Sequence, residues 1–423
     1  MREFLELIWH NRFMSGGVEL SLTDGTLIEV VSTGQMVPTA NGTLFCHSCI
    51  NYPKNHIQLW GSVKIDERSS HWRKQGTVES EQMDNVILHF VGQCDTQIIH
   101  NSHPMATLVA PITDSLMEAW RRLPLNCHDF FDNLTPLEHE HILSRLLSER
   151  LERKSTEVMT LHQEAHESWP QTTYTMLLRS MGYKASKESY HRLARELPYS
   201  ILSSYAHDIT SLEALLMGQG GLLHLAPTDK YIASLQSIYA KEKENHSLGN
   251  VQYSWPNRPS PYLQLAHVAA IIFGHKELMQ ELVEATTLGQ MQHIMDSPLS
   301  TYWAQHYAPG ATYTGLSWGI TEVNKLIINF VLPTLWSYGK SSKDEALTQR
   351  VLNLMDELPA EEYLPVRSWC STNYTPQSAY YSQALIQLTT EYCNKALCAR
   401  CPVGAEYLRK VFLRKMQNNK NYY

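Results

Sequence analysis

Long apolar segments are missing from this chain. The best candidate for one, residues 326–336, is short and contains Asn329 and Pro333, whereas a membrane-spanning helix needs about 20 apolar residues. A secretory signal is missing as well, because Arg2 and Glu6 interrupt the apolar residues of the first turns. We therefore expect a soluble, cytoplasmic protein with no membrane partner.

Cysteine and charge are both scarce. Eight cysteines in 423 residues are too few for a disulfide framework, which leaves reduced thiols or a metal site. Charged residues make up 18% of the chain and apolar residues 43%, a composition that indicates neither disorder nor a coiled coil. The net charge of -7 argues against a protein that coats nucleic acid or anionic membrane, although a local basic patch can exist within an acidic total.

Strand patterns fill the first part of the chain, after a short amphipathic helix predicted over residues 4–13. Asp24-Gly25 separates two alternating runs, which is the strongest short-range signal of a β-hairpin. At roughly 150 residues per domain, the length predicts about two or three domains. Further strands are predicted over residues 43–51, 58–66, 86–91, 97–99 and 106–109.

Helical periodicity replaces the strand patterns beyond Pro111. Thr135 and Glu138 form a capping box that opens a long helix, and the chain ends in a cysteine cluster and a basic tail. The predicted fold class is α+β, with a β-rich domain over residues 1–112, containing an antiparallel or mixed sheet, and a larger, mostly α-helical domain over residues 113–423. Further helices are predicted over residues 115–123, 174–181, 189–197, 210–218, 229–242, 262–273, 277–288, 322–338, 345–358 and 378–392.

One predicted strand carries three polar side chains on one face. Ser62, Lys64 and Asp66 alternate with apolar residues, and residues 85–91, interrupted only by His89, are typical of a buried central strand. A metal-dependent nuclease or phosphoesterase needs several carboxylates or imidazoles at such a place, but a protonated lysine has no lone pair for a metal. Base rates for polar positions favour the alternative, an edge strand with a solvated face.

Two groups of cysteines are candidates for metal ligation. Cys393, Cys398 and Cys401 are separated by four and two residues, a spacing that suits zinc or an iron-sulfur cluster if a fourth ligand, for which Cys370 is the nearest thiol in sequence, completes the site. Reduced thiols in a helical turn are the alternative. Another C-x-x-C occurs within a predicted strand, where its two thiols point to opposite faces unless a bulge intervenes, so buried free thiols are favoured there. These two thiols are Cys46 and Cys49.

Nearly the whole chain resembles an uncharacterised bacterial family, domain-of-unknown-function family 2851. Each segment of the resemblance is short, but their order along the chain is specific. The resemblance rests on Leu7 to Trp9, Trp60-Gly61, Ser69-Ser70 with Trp72, Asn85 to His89, Glu213 to Leu216, Gly218-Gln219, Asn257 to Pro259, Trp303, His306-Tyr307, and Ser382 to Leu388 followed by the cysteines.

The family pattern, as the resemblance implies it, is G-P-D-F before the central strand, then G-D/N-V-E-I-H, then S-S-D-W and a pair of histidines. This arrangement is similar to restriction-endonuclease-like nucleases, in which an Asp and a Glu-x-Lys on adjacent strands hold magnesium. The terminal cysteines also resemble those that hold a stabilising iron-sulfur cluster in some nucleases of that class. These similarities are analogies at the level of the fold.

This chain departs from the family pattern at nearly every candidate ligand. Leu44 stands where the family has the Asp of G-P-D-F, while Lys64 and Asp66 stand where it has Glu and His. His71 replaces the Asp of S-S-D-W. The resemblance therefore implies a non-catalytic relative of a nuclease-like family. The positions of the two expected histidines hold Gln75 and Thr77.

Three functions are compatible with these residues. The first is a binding or scaffold protein that contacts an unknown protein partner through its helical surface. A second is a metal-dependent nuclease whose ligands come from other positions. The third is a nucleic-acid binder without catalysis, which uses the basic tail from Arg409 to Lys420 and whose binding is sensitive to salt. The candidate catalytic residues of the second function are Asp66, Glu67, Asp84 and His89.

Overall fold

The computed structural model describes most of the chain. Strands dominate the amino-terminal region and helices most of the remainder, which confirms the predicted α+β class. The predicted strand residue Val18, the candidate catalytic residue Asp84, and Gln75 and Thr77 lie outside the described residues. The structure describes residues 1–10, 20–39, 42–73, 85–112, 114–182, 186–224, 229–255, 260–313, 318–371, 373–398 and 400–420.

The chain forms two compact units. The first contains residues 1–142, 371–374 and 388–423, and the second contains residues 143–370 and 375–387. The division predicted at residue 112 follows the change from strands to helices. The first compact unit instead contains the strand region together with the carboxy-terminal cysteines and the last helix. The candidate ligands of the strand region and the carboxy-terminal cysteines therefore lie in the same unit, whereas Cys370 lies in the second.

Seven strands among the described residues of the first unit form one mixed sheet. Its order is β1-β2-β4-β5-β6-β9, and β3 pairs with β4. Strand β4 runs antiparallel to β5, whereas β6 runs parallel to both β5 and β9. Strands β7 and β8 pair separately, as do β10 and β11 in the second unit. The strands are β1 (Leu20–Ser21), β2 (Leu27–Ser32), β3 (Gln35–Thr39), β4 (Gly42–Tyr52), β5 (Ile57–Arg68), β6 (Val86–Gln93), β7 (Ile99–His100), β8 (His103–Pro104), β9 (Thr107–Val109), β10 (His306–Ala308) and β11 (Ala311–Thr312).

The predicted hairpin joins β1 to β2 through Asp24-Gly25. Gly25 has a φ of 82°, a left-handed conformation that glycine adopts without a steric penalty. The Asp24 side chain accepts a hydrogen bond of 2.8 Å from the backbone N–H of Thr26, which fixes the turn. Leu20 then pairs with Ile28 across the two strands, and the hairpin prediction is confirmed.

One face of the sheet packs against the amino-terminal helix α1 (Arg2–His10). Trp9 is buried, lies 5.3 Å from Phe90 between ring centroids, and donates a hydrogen bond of 3.0 Å from Nε1 to the Thr33 carbonyl. Burial of such a side chain stabilises the fold by roughly 1.5–3 kcal/mol. The sheet residues in this core include Phe45, Ile50, Val63, Ile65, Leu88 and Phe90.

Helices account for most of the remaining described residues. None of them is long and apolar enough to cross a membrane. Short 3-10 turns cover Pro53–Asn55 and Ser69–Arg73, and π-helical turns cover Ile327–Val331 and Leu388–Cys393. The α-helices after the sheet are Asp114–Asp132, Pro136–Glu164, Trp169–Met181, Lys187–Glu196, Tyr199–Ser204, Ile209–Gln219, Lys230–Asn245, Pro261–Gly274, Leu278–Glu284, Leu288–Met295, Ile320–Leu326, Leu332–Ser342, Glu345–Glu357, Leu364–Arg367, Ala379–Gln387 and Pro402–Lys420.

Local capping explains where the long helix of residues 136–164 begins. Glu138 accepts a hydrogen bond of 2.9 Å from the Thr135 backbone N–H, and the Thr135 hydroxyl accepts one of 3.4 Å from the Glu138 backbone N–H. This is the reciprocal arrangement of a capping box. The predicted helix start is therefore confirmed.

Candidate functional site

The polar face of β5 is buried. Ser62, Lys64 and Asp66 are 7%, 4% and 5% exposed, respectively, while their neighbours Val63 and Ile65 point into the core against α1. The predicted edge strand with a solvated face is wrong, because β5 is paired with β4 on one side and with β6 on the other. Both faces of a central strand are covered, so its polar side chains must find partners inside the protein.

Lys64, Asp66 and His89 form one hydrogen-bonded group, which we call the Lys64 cluster. The Lys64 ammonium lies 3.1 Å from Asp66 Oδ2, and His89 Nε2 lies 3.0 Å from the same oxygen. The parallel register of β5 and β6 places Lys64 directly beside His89. His89 itself is fully buried. The predicted candidates Asp66 and His89 are therefore brought together, and Lys64 joins them.

Trp72 closes the cluster on the side of Lys64. The Lys64 ammonium lies 4.7 Å from the Trp72 ring centroid and donates a hydrogen bond of 3.4 Å to its carbonyl oxygen. The same ring meets His89 edge-on at 4.8 Å between centroids. A cation over an indole ring is attracted by the negative face of the ring. Both the charge and the hydrogen bonds of Lys64 are thus used within the protein.

The other carboxylate oxygen of Asp66 faces a second cation. The Arg2 guanidinium lies 3.9 Å from Asp66 Oδ1. On the neighbouring strand β4, the apolar residue Leu44 is paired with Lys64. Asp66 is consequently surrounded by donors and cations, and no second carboxylate stands beside it in the described part of β4.

The charge states of the cluster follow from burial and hydrogen bonding. Burial raises the pKa of Asp66, but the hydrogen bond from His89 and the charge of Lys64 outweigh it, so its pKa lies below the ordinary value. Burial lowers the pKa of His89, and Asp66 opposes this decrease without reversing it. His89 is therefore neutral near pH 7 and donates its Nε2 proton to Asp66. Its Nδ1 is buried and has no hydrogen-bond partner among the described residues.

This arrangement leaves little capacity for a divalent cation. A metal ion needs free lone pairs, but Asp66 Oδ2 already accepts from both Lys64 and His89. An ammonium has no lone pair, and its charge repels a cation at the same place. The cluster can instead hold β5, β6 and Trp72 in fixed positions through its buried hydrogen bonds.

The neighbouring acidic candidate, Glu67, lies outside the cluster. It is exposed and accepts a hydrogen bond of 3.2 Å from the Arg2 backbone N–H. His71 lies in the 3-10 turn after β5. The structure brings neither side chain into a hydrogen bond or ion pair with Asp66.

Asp95, which no pattern in the sequence singled out, anchors the 3-10 turn that carries Trp72. The Ser70 backbone N–H and hydroxyl each donate to Asp95 at 2.8 Å, and the Ser69 hydroxyl donates at 2.9 Å. These hydrogen bonds lower the pKa of Asp95 to about 2. The Ser-Ser pair in the resemblance was the available signal, since adjacent serines suit the fixation of a carboxylate.

The carboxy-terminal cysteines are free thiols. Burial raises the pKa of Cys393 to about 11, and nearby Cys127 and Cys398 contribute to the increase. Cys127 therefore lies near these thiols, whereas Cys370 belongs to the second unit. No three His, Cys, Asp or Glu side chains in the described part of the chain are grouped so that they could hold a metal ion. The zinc or iron-sulfur site at Cys393, Cys398 and Cys401 stays a prediction.

The other C-x-x-C lies at a β-bulge of β4. The register with β5 shifts between Phe45 and Ser48, and His47 has a φ of 60°. The bulge explains why Phe45 and Ile50, an odd number of residues apart, reach the same core. Cys46 and Cys49 are free thiols, and Cys49 is fully buried.

Two segments of the resemblance meet in the second unit. Glu213 Oε2 accepts hydrogen bonds from Trp303 Nε1 at 2.9 Å and from the Tyr231 hydroxyl at 2.5 Å. Glu213 and Trp303 are both fully buried, and burial raises the pKa of Glu213 to about 7. His306 stacks on the adjacent Tyr302 ring at 4.0 Å. These residues form a buried polar centre of the helical unit.

Comparison with known proteins identifies a family. The family model described as a protein of unknown function, DUF2851, matches residues 2–363. No curated protein and no solved structure matches the chain significantly. The match covers most of the sequence, including β5, β6 and the Glu213 centre. The chain therefore belongs to the DUF2851 family.

Proposed function

We propose that this protein is a non-catalytic binding or scaffold protein whose sheet contains an internal ion pair in place of a divalent cation. The observation that carries the proposal is the 3.1 Å contact between the Lys64 ammonium and Asp66 Oδ2. Lys64 supplies the positive charge that a metal ion would otherwise give to this carboxylate. It does so without a coordination site at which water could be activated.

Burial supports the same function. Lys64, Asp66 and His89 are each at most 5% exposed, and a nuclease must bring a phosphodiester within reach of its metal ligands. A neutral His89 that donates to Asp66 is held in place by that hydrogen bond, so its proton on Nε2 is not free for a leaving group. The residues of the cluster therefore act on one another.

The nucleic-acid alternative has weaker support. In the basic tail, Lys410 pairs with Glu138 at 2.5 Å and Arg409 pairs with Glu406 at 2.5 Å. Each of these two cations has a carboxylate of its own, so the pairs carry no excess positive charge to replace the counterions of a nucleic acid. Among the described side chains of the tail, these two therefore favour a partner or ligand other than a nucleic-acid backbone.

A nuclease assay tests the proposal. Full-length protein is incubated with single- and double-stranded DNA and RNA in the presence of magnesium or manganese, beside the variants Asp66→Asn and Glu67→Gln. We expect no cleavage that depends on Asp66. Cleavage by the wild type that disappears in Asp66→Asn and persists in Glu67→Gln, whose carboxylate is exposed, would overturn the proposal.

A further inference from the structure

The second unit contains a cavity of 590 Å³ that is lined by charged and apolar side chains. This volume lies within the usual range of about 300–1,000 Å³ for small-molecule sites. Its apolar wall includes Trp318, Leu263 and Leu326. Ligand sites of this size combine such a wall with a few polar groups that fix the orientation of the ligand.

Positive charge exceeds negative charge along this cavity. Its cationic lining residues are Lys154, Arg179, Lys187 and Lys325, and its acidic lining residues are Glu157 and Glu322. Glu157 accepts from Arg179 at 2.7 Å and from Lys187 at 2.5 Å, and Lys325 pairs with Glu322 at 2.8 Å. Burial raises the pKa of Glu157, but the hydrogen bonds from Lys187 and Arg179 outweigh it and bring the pKa to about 2. The single carboxylate of Glu157 is therefore the ion-pair partner of both Arg179 and Lys187.

Lys154 is the cation without a partner. It lies within the helix Pro136–Glu164 and is mostly buried. Among the described residues, its ammonium has neither a hydrogen-bond acceptor nor a carboxylate at ion-pair distance. Burial lowers the pKa of Lys154 to about 8, and the charge of Arg150 adds to the decrease. A partly buried ammonium without a partner is unfavourable for stability, which makes it a candidate for ligand recognition.

We propose that this cavity binds a small organic molecule that carries a phosphate group, with Lys154, Arg179 and Lys187 as the phosphate-binding residues. Three cations around Glu157 leave a local excess of positive charge that a dianionic phosphate would balance. Arginine and lysine both bind phosphate through charge-assisted hydrogen bonds. The apolar wall at Trp318 and Leu263 suits the organic part of such a ligand. This site is assigned independently of the Lys64 cluster and goes beyond the proposed function.

Isothermal titration calorimetry with inorganic phosphate and with adenosine monophosphate tests this site. The full-length wild type is compared with Lys154→Met and with Lys340→Met, which changes an exposed lysine of the same unit that does not line the cavity. We expect saturable binding to the wild type and to Lys340→Met, tighter for the nucleotide because of its organic part. Lys154→Met should weaken binding at least tenfold.

Two further measurements distinguish a role of Lys154 in ligand recognition from a structural role. Thermal unfolding without ligand should show Lys154→Met to be as stable as the wild type or more stable, because the variant removes a buried charge that lacks a partner. Near pH 8, phosphate binding should be accompanied by proton uptake, which titrations in two buffers of different ionisation enthalpy measure and which Lys154→Met should lose.

Three results would overturn the proposal. They are the absence of saturable binding of either probe to the wild type, equal binding to Lys154→Met and the wild type, and preferential binding of a dicarboxylate such as succinate over phosphate. None of these results bears on the Lys64 cluster, because separate experiments measure metal binding and nuclease activity at Asp66.

Discussion

Lys64 carries the positive charge that Asp66 requires inside the sheet. The pair lies 3.1 Å apart on a central strand where both residues are at most 5% exposed. Buried ion pairs contribute little net stability compared with apolar residues, but the loss of one partner leaves an uncompensated charge. A substitution of Lys64 or Asp66 alone should therefore lower the stability of the protein far more than the replacement of both residues together.

The substitution Lys64→Met should destabilise the protein by about 3 to 5 kcal/mol, because it removes the cation beside the buried Oδ2 of Asp66 and leaves only Arg2 near Oδ1. Urea unfolding monitored by tryptophan fluorescence measures the change, since Trp72 lies beside the ammonium. The double substitution Lys64→Met with Asp66→Leu should recover most of the loss. It removes both charges and keeps apolar volume in their place.

Glu67→Gln provides the matched control for Lys64→Met. Glu67 is the next acidic residue of the strand and is exposed, so its substitution should change the unfolding free energy by less than about 0.5 kcal/mol. A cost for Lys64→Met that is no larger than the cost for Glu67→Gln would contradict the assignment of Lys64 as the counter-ion of Asp66.

The sequence predicted that Ser62, Lys64 and Asp66 lie on one face of a strand, but not that this face is buried. The Ser62 hydroxyl donates to Cys46 Sγ, whereas the alternation with apolar residues correctly placed Lys64 beside Asp66. Their burial and their contact with His89 depend on the parallel pairing of β5 with β6. That pairing joins strands separated by the residues between Arg68 and Val86, so no local pattern specifies it.

Among the helical elements, the segment Ile209–Gln219 is organised around a buried acid. Asp208 caps its amino terminus by accepting from the Thr210 N–H at 3.0 Å, and Glu213 then binds Tyr231 and Trp303. Its other carboxylate oxygen, Oε1, is buried and has no hydrogen-bond partner among the described residues. Burial thus favours the protonated form and raises the pKa of Glu213 to about 7.

This raised pKa predicts a pH dependence of stability. Between the unfolded pKa of about 4.3 and the folded pKa of about 7, the native state holds a proton that the unfolded state has lost. The unfolding free energy should therefore fall as pH rises through this window, by at most about 4 kcal/mol. Urea titrations at several pH values measure the fall.

The variant Glu213→Gln tests the assignment of this pH dependence. An amide does not titrate, so the variant should show a flatter stability profile between pH 4.5 and 7 than the wild type. The exposed substitution Glu67→Gln should leave the profile unchanged. Parallel profiles for the wild type and Glu213→Gln would contradict the raised pKa of Glu213.

Element boundaries were predictable where local chemistry decides them. The Asp24-Gly25 hairpin and the Thr135 capping box were both recognised. Residues 277–288 were predicted as one helix, but the structure has Leu278–Glu284 and Leu288–Met295, because a second capping box of Thr287 and Gln290 begins a new helix. Strand β3 was missed because Pro38 interrupts its pattern, although proline is tolerated in a strand at a sheet edge.

The last helix completes the core of the first compact unit. Leu408, on the helix Pro402–Lys420, is fully buried in the same apolar cluster as Phe90 and Ile65 of the sheet. The sequence placed this helix in a helical domain, since periodicity reports which face is apolar and not what that face packs against. The packing of the last helix against the sheet was therefore visible only in the structure.

The substitution Leu408→Ala should destabilise the first unit by about 2 to 5 kcal/mol, as removal of a buried leucine side chain usually does. Hydrogen exchange of the β5 and β6 amides measures the effect, because these strands border the same core. Leu137→Ala is the matched control, since Leu137 is 80% exposed in the same unit. Unchanged protection of β5 and β6 in Leu408→Ala would contradict this packing.

Manganese titration of the purified full-length chain shows whether the Lys64 ammonium takes the place of a metal ion at Asp66. Calorimetry or electron paramagnetic resonance of Mn²⁺ should detect no bound ion whose presence depends on Asp66, so the wild type and Asp66→Asn should give the same titration. A manganese site in the wild type that is lost in Asp66→Asn and kept in Glu67→Gln would contradict the claim.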